Sequence, residues 1–235
     1  MSERRNNRIE LIDAVRGLCV VLMVIHHALY NVYYFLDAPR WIFSNPVFDI
    51  LHYIFAGLFI ALSGVSSRFS RSNVKRGIKA LILACCITLV TWLLNVPIIF
   101  GVLHLLGFSM LFFGLTRRLW DKIPQKSAGV IYIALIVISA LARAHITPQT
   151  DRLWIFGWPG SGFLSYDYFP LFPWVFVFLL GTWAGVYIEQ GDLPQWFYKQ
   201  RSVPLFPRLG RRALLIYILH QPVLYGVVMA IAHLV

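Results

Sequence analysis

Asp13-Ala14-Val15-Arg16-Gly17-Leu18-Cys19-Val20-Val21-Leu22-Met23-Val24-Ile25-His26-His27 is an apolar helical run that carries a guanidinium and an imidazole. An Arg inside a membrane helix costs roughly 2.5–3.5 kcal/mol on insertion scales. His27 follows Arg16 by eleven positions, so about three turns bring both to one face, roughly 16 Å apart. Asp13 three residues before Arg16, and Asn31 four residues after His27, extend the same polar stripe. Such a stripe must face a protein interior or a water-filled cavity, because lipid offers it no partners.

The composition makes this run one of several membrane spans. Of 235 residues, 59% are hydrophobic and only 13% charged, about half the share usual in soluble domains, and the mean hydropathy is +0.69. A soluble domain of this size could not bury that much apolar surface. The reading is an all-α, polytopic membrane helix bundle with no long polar segment to divide it, and hence a single domain over residues 1–235. Apolar stretches near span length fall at Leu11–Phe35, Val47–Ser67, Ile78–Leu94, Ile98–Leu115, Ala128–Ala142, Phe169–Ile188 and Ala213–Val235. The fifth is the shortest. The polar, basic start of the chain, with no small-residue cleavage site after the first apolar run, reads as a retained helix rather than a removed leader.

Charge placement sets the orientation. The connections on one side hold Arg4, Arg5 and Arg8, then Arg68, Arg71, Lys75, Arg76 and Lys79. The same side collects Arg117, Arg118, Lys122 and Lys126, then Lys199, Arg201, Arg208, Arg211 and Arg212. Of 21 Lys and Arg, only Arg40, Arg143 and Arg152 fall opposite, with Arg16 inside the first span. Positive charge marks the cytoplasmic side, so the N-terminus is expected there. The same asymmetry accounts for the formal net charge of +11 without nucleic acid as a partner. Cys19, Cys85 and Cys86 all fall in spans and suggest neither a disulfide nor a metal site. The outer segment 143–168, with Trp154, Trp158 and Pro159, reads as an ordered interfacial loop. Pro170 and Pro173 suit the first turn of the sixth helix.

Several residues could carry chemistry. A neutral imidazole at His27 could take a proton from an incoming nucleophile, or could bond another helix as packing glue. His26, about 100° away on the helix, could exchange roles with it. Asp13 and Arg16 can pair at three-residue spacing, as a structural or a functional unit. Ser63-Gly64-Val65-Ser66-Ser67-Arg68-Phe69-Ser70-Arg71, followed by Lys75-Arg76-Gly77-Ile78-Lys79, is small, hydroxylated and then basic. It suits an anionic phosphate, or serves as topology charge drawn to anionic lipid. His104 and His220 lie within spans and are either functional groups or interhelical glue. Pro222 leaves an unpaired carbonyl one turn earlier. Asp167 could orient an outer substrate or cap the sixth helix. Asp49 and His52 take no assignment.

Five stretches carry a resemblance. Arg8-Ile9-Glu10-Leu11-Ile12-Asp13-Ala14-Val15-Arg16-Gly17, with His27 at its fixed distance, resembles the opening of the transmembrane acyltransferase superfamily. Leu58-Phe59-Ile60-Ala61-Leu62-Ser63-Gly64 is similar to its second-helix signature. Leu209-Gly210-Arg211-Arg212-Ala213-Leu214-Leu215-Ile216-Tyr217-Ile218-Leu219-His220-Gln221-Pro222 is similar to its late helix. Phe100–Gly107 and Asp167-Tyr168-Phe169-Pro170-Leu171-Phe172-Pro173-Trp174 resemble the bacterial branch related to the heparan-alpha-glucosaminide N-acetyltransferase catalytic domain.

The resemblance implies a multi-pass protein of the bacterial cytoplasmic membrane. It would move an acetyl group from acetyl-CoA to an extracytoplasmic glycan or small acceptor, with the lipid bilayer as its surroundings. A second copy of the chain is a partner that this reading leaves open. It maps the essential Arg and His onto Arg16 and His27, with Asp13 beside them. It maps CoA phosphate contacts onto Arg76 and Lys79, the last standing where many members carry Arg, and the basic run read above adds Ser63, Arg68 and Arg71. Acceptor contacts would fall to Asn31, His104, Asp167 and His220. The animal lysosomal branch places its proposed histidine in the loop after helix one. Leu36–Pro46 holds none here, which favours His27. The chain is also shorter than typical members, implying a reduced acceptor-binding part. From the residues alone, a carrier, a channel or a non-catalytic scaffold is the competing class.

Overall fold

The computed structural model describes residues 9–43, 45–148, 150–199 and 205–234, which hold helices and no strand. The helices are α1 (Glu10–Phe35), α2 (Pro46–Arg68), α3 (Asn73–Leu93), α4 (Val102–Trp120), α5 (Gln125–His145), α6 (Leu171–Gln190), α7 (Gln195–Tyr198), α8 (Leu205–Arg211) and α9 (Ala213–Ala232). Seven of them, α1–α6 and α9, are long and apolar enough to cross a membrane. Arg4, Arg5, Arg8 and Arg201, used above for orientation, and Val235, the last residue of the seventh expected span, lie outside the described residues.

The boundaries differ from the hydropathy reading, most visibly in α3, α4 and α5. The fifth span is not short: α5 runs over 21 residues, because Lys126 and Arg143 sit near its ends, where long side chains reach away from the apolar zone. Helix α3 begins at Asn73 rather than Ile78 and absorbs the Lys75–Lys79 cluster. Ser72 caps it, its hydroxyl accepting from the Lys75 amide at 3.3 Å, as a short side-chain oxygen does at this position. Helix α4 begins at Val102 rather than Ile98. Residues 98 and 99 are instead tied to side chains: the Ile98 amide donates to Thr91 Oγ1 at 3.1 Å, and the Ile99 amide to Ser165 Oγ at 2.8 Å.

The chain divides into two compact units, residues 1–59 with 193–235, and residues 60–192. In the first unit α1 packs on α8 and α9. Gly17 and Gly210 set the α1–α8 crossing. A Cβ at Gly210 would run into the carbonyl oxygen of Asp13, and one at Gly17 into that of Phe206. Small residues let backbones approach this closely, and close packing of this kind drives helix association in lipid.

In the second unit α3 packs on α4, and α5 and α4 pack on α6. Its knot is Arg68, at the end of α2 and only 8% exposed. The guanidinium donates from Nε to the Thr182 carbonyl of α6 at 2.8 Å and from Nη1 to Asp121 Oδ1 after α4 at 2.6 Å. It also lies 5.1 Å from the centre of the Phe113 ring, within cation–π range. Arg117 joins Asp121 from the solvent side at 3.3 Å. These contacts bring the two basic junctions, α2–α3 and α4–α5, to the same end of this unit.

Two outcomes follow for stability, both read by thermal unfolding of the detergent-solubilised protein. Gly210→Leu overpacks the α1–α8 crossing and lowers stability by about 1–3 kcal/mol, the range for forced core insertions; an unchanged midpoint would mean the crossing is loose. Asp121→Ala strips the buried Arg68 of its counter-charge and costs about 1–3 kcal/mol, the range for a stranded buried polar group. Arg117→Ala, which removes an exposed pair, stays within ~1 kcal/mol of wild type.

Candidate active site

Helix α1 supplies the polar stripe. Asp13 is 4% exposed and Asn31 4% exposed, and Ile12, Gly17, Cys19 and Val20 are buried with them, so the polar face and part of the apolar face both look inward. Arg16 donates from Nη1 to Asp13 Oδ1 at 2.8 Å. The carboxylate sits in the first turn, where the helix dipole favours a negative charge, and it neutralises a guanidinium that lipid would reject. Pairing and function remain compatible at this position, as the sequence reading allowed.

One α-helical step separates the environments of His26 and His27. The His26 ring lies 4.5 Å from His52 of α2, 5.0 Å from Phe43 and 6.1 Å from Phe55, centre to centre. His27 instead faces α9, its ring 4.9 Å from that of His220. Gln221 Nε2 lies 3.1 Å from His27 Nδ1. Gln221 Oε1 in turn accepts from Asn31 Nδ2 at 3.2 Å. Because His27 and Asn31 are four apart, they present to one side, and a single amide from α9 bridges them. His220 Nδ1 meets the Tyr217 carbonyl at 2.7 Å. A carbonyl can only accept, so His220 carries its proton on Nδ1 and keeps the lone pair on Nε2. That Nε2 is buried and has no partner among the described residues.

The remaining expected site residues lie in the second unit. His104 Nε2 meets Thr88 Oγ1 at 3.2 Å, while that hydroxyl donates its one hydrogen to the Ile98 carbonyl at 2.6 Å. His104 is therefore the donor and ties α4 to α3. Asp167 Oδ2 accepts from the Val102 amide at 3.2 Å. It caps the start of α4, since its loop folds back onto residues 97–100 through Tyr166 and Phe169. Arg143 closes the loop's other end, with Nε 3.1 Å from the Gly157 carbonyl and Nη1 3.3 Å from that of Phe172. Tyr168 donates to the Trp154 carbonyl. Burial pushes its phenol above the ordinary value, and Arg143 partly offsets this.

In the basic run, Arg68 is buried and bonded as described, while Arg71, Lys75, Arg76 and Lys79 are exposed. Ser63 is half-buried inside α2. Gly64 also lies inside α2, against the Phe178 carbonyl. Its neighbourhood is helix–helix packing rather than a loop of free backbone donors. The sequence reading passed over Gln221. Its signal was an amide beside a histidine and a proline within an otherwise apolar helix.

No curated protein and no solved structure matches the chain. A family model, described as heparan-alpha-glucosaminide N-acetyltransferase, catalytic, matches residues 8–222. That match covers α1 with its Asp13–Arg16 pair and His27, and reaches His220 and Gln221 on α9. With a family match over nearly its whole length and seven helices able to span a bilayer, the chain belongs to the heparan-alpha-glucosaminide N-acetyltransferase catalytic family of multi-pass membrane acetyltransferases.

Proposed function

We propose that this protein transfers an acetyl group from cytosolic acetyl-CoA to an amine or hydroxyl of an acceptor beyond the bacterial cytoplasmic membrane, with an envelope glycan as the acceptor class. The observation that carries the reading is the imidazole of His27. It is held by an amide from α9 on the same helix face as the Asp13–Arg16 pair. An apolar helix bears the cost of three ionisable groups on one stripe where they have work to do. Family membership favours a transferase over a carrier or a scaffold.

In the proposed reaction, His27 accepts the proton of the acceptor's N–H or O–H as that atom attacks the thioester carbonyl carbon. The tetrahedral intermediate expels the CoA sulfur, and the imidazolium returns the proton to the thiolate. Acetyl thus moves to the acceptor and CoA leaves as the free thiol. Arg16, aligned by Asp13, supplies fixed positive charge along the stripe. Asn31 and His220, adjoining His27, are the proposed acceptor contacts.

The donor's phosphates fit the exposed cations Arg71, Arg76 and Lys79, with Ser63 nearby on α2. Arg68 shapes that turn from within, since its guanidinium is already bonded to Asp121 and Thr182. The concentration of basic residues at the α2–α3 and α4–α5 junctions supports a cytoplasmic placement of that end, and with it a cytoplasmic N-terminus. Residues 1–235 would act as one catalytic domain.

His27→Ala is expected to lower CoA release from acetyl-CoA by about 10²–10⁴-fold, the usual worth of a positioned acid–base group. Thiol titration of the purified protein with an amino-sugar acceptor measures this, and full activity in the variant would rule His27 out. Acetyl-CoA is expected to raise the thermal midpoint of the wild type, while free acetate leaves it unchanged. The Arg76→Ala/Lys79→Ala double variant should lose most of that shift. An undiminished shift would leave the basic turn with a topological role only.

A further inference from the structure

A primary amide has one end that only donates and one that only accepts. Gln221 uses both on α1. Its Oε1 accepts from Asn31 Nδ2 at 3.2 Å, which leaves its NH2 facing His27 Nδ1 at 3.1 Å. An NH2 group cannot accept, so in this arrangement Nδ1 holds the lone pair and the ring proton lies on Nε2. His27 then presents an N–H donor. Its neighbour His220, 4.9 Å away between ring centres, has the opposite form, with the proton on Nδ1 against the Tyr217 carbonyl.

The base that takes a proton at Nε2 needs the other form of His27. Turning both amides over favours it without displacing any heavy-atom neighbour, while solvent water takes the Nε2 proton and returns one to Nδ1. The Gln221 carbonyl would accept from Nδ1–H, and its NH2 would donate to the Asn31 carbonyl oxygen. Both polarities satisfy the same three groups, so the relay is bistable where a carboxylate partner would be fixed. The partner that bonds one imidazole nitrogen decides which form the ring takes.

We propose that Gln221, seated on Asn31, is the positioning residue that sets the tautomer of His27. The seen orientation rests the ring as the Nε2–H donor, and the reversed orientation releases Nε2 as the base. This rests on the reading of His27 as the acid–base group, but it concerns the ring's protonation pattern and is measured separately from turnover.

The test is 15N NMR of histidine-labelled full-length protein in detergent micelles. His27 is assigned by its loss in His27→Ala, and wild type is compared with Gln221→Met and Gln221→Glu. In wild type the His27 Nδ1 signal is expected at the unprotonated, acceptor position. In Gln221→Glu the carboxylate can only accept, so Nδ1 should move to the N–H position. In Gln221→Met, which holds neither orientation, the ring should exchange between both forms. The His26 signals, set by packing against His52 and Phe43, report that the first unit is intact. If Gln221→Met unfolds, Gln221→Glu alone decides. A proton already on Nδ1 in wild type, or the same Nδ1 position in wild type and Gln221→Glu, overturns the proposal. Those results leave the base assignment standing wherever His27→Ala still abolishes CoA release. A full response of the ring together with an active His27→Ala would instead sink the base and keep the relay.

Discussion

Polar groups placed where water is scarce must find partners within the protein, and that constraint organises both units of this chain. On α1 the carboxylate of Asp13 answers the guanidinium of Arg16 at 2.8 Å. One Gln amide answers both Asn31 and His27. Each bond replaces a hydration shell that the surrounding apolar residues cannot supply. The helices that deliver these partners are brought in by close backbone packing. The Gly17–Gly210 crossing lets α8 lie directly on α1, and α9 follows α8 after only one residue.

The second unit solves the same problem with a cation. Arg68 is buried among α2, α4 and α6, and three kinds of contact hold it: a carbonyl, a carboxylate and an aromatic face. A buried guanidinium with one partner removed is a large liability. This cation therefore specifies how three helices meet more than it offers itself to a ligand. The cations that follow it on α3, Lys75, Arg76 and Lys79, are exposed instead.

The membrane class, seven spans and the inward polar stripe of α1 were all legible in the sequence. Each depends on local composition or on the 3.6-residue period. The stripe's separation of His26 from His27 also followed from the helical step, and the rings do look toward different helices. The starts of α3 and α4 were less legible. Lys75, Arg76 and Lys79 lower local hydropathy although they are helical, and Ile98 and Ile99 are apolar although Thr91 and Ser165 hold their amides ahead of the helix. For Asp167 the sequence left open an outer substrate contact or a cap on the sixth helix, which it precedes in the chain. Its carboxylate instead caps the start of α4, 65 residues earlier, a relation no local pattern encodes.

By itself, then, the sequence determined that this protein is built of apolar helices, which connections carry its positive charge, and that α1 bears a polar stripe through Asp13, Arg16, His27 and Asn31. Hydropathy, charge and helical periodicity are one-dimensional properties, and they survive without knowledge of the neighbours. Tertiary structure decided which cations are buried, which helix each histidine meets, and that an amide 190 residues beyond Asn31 bridges it to His27. Hydrogen-bond partners are chosen by distance and direction in space, and those are set only when helices far apart in the chain have packed.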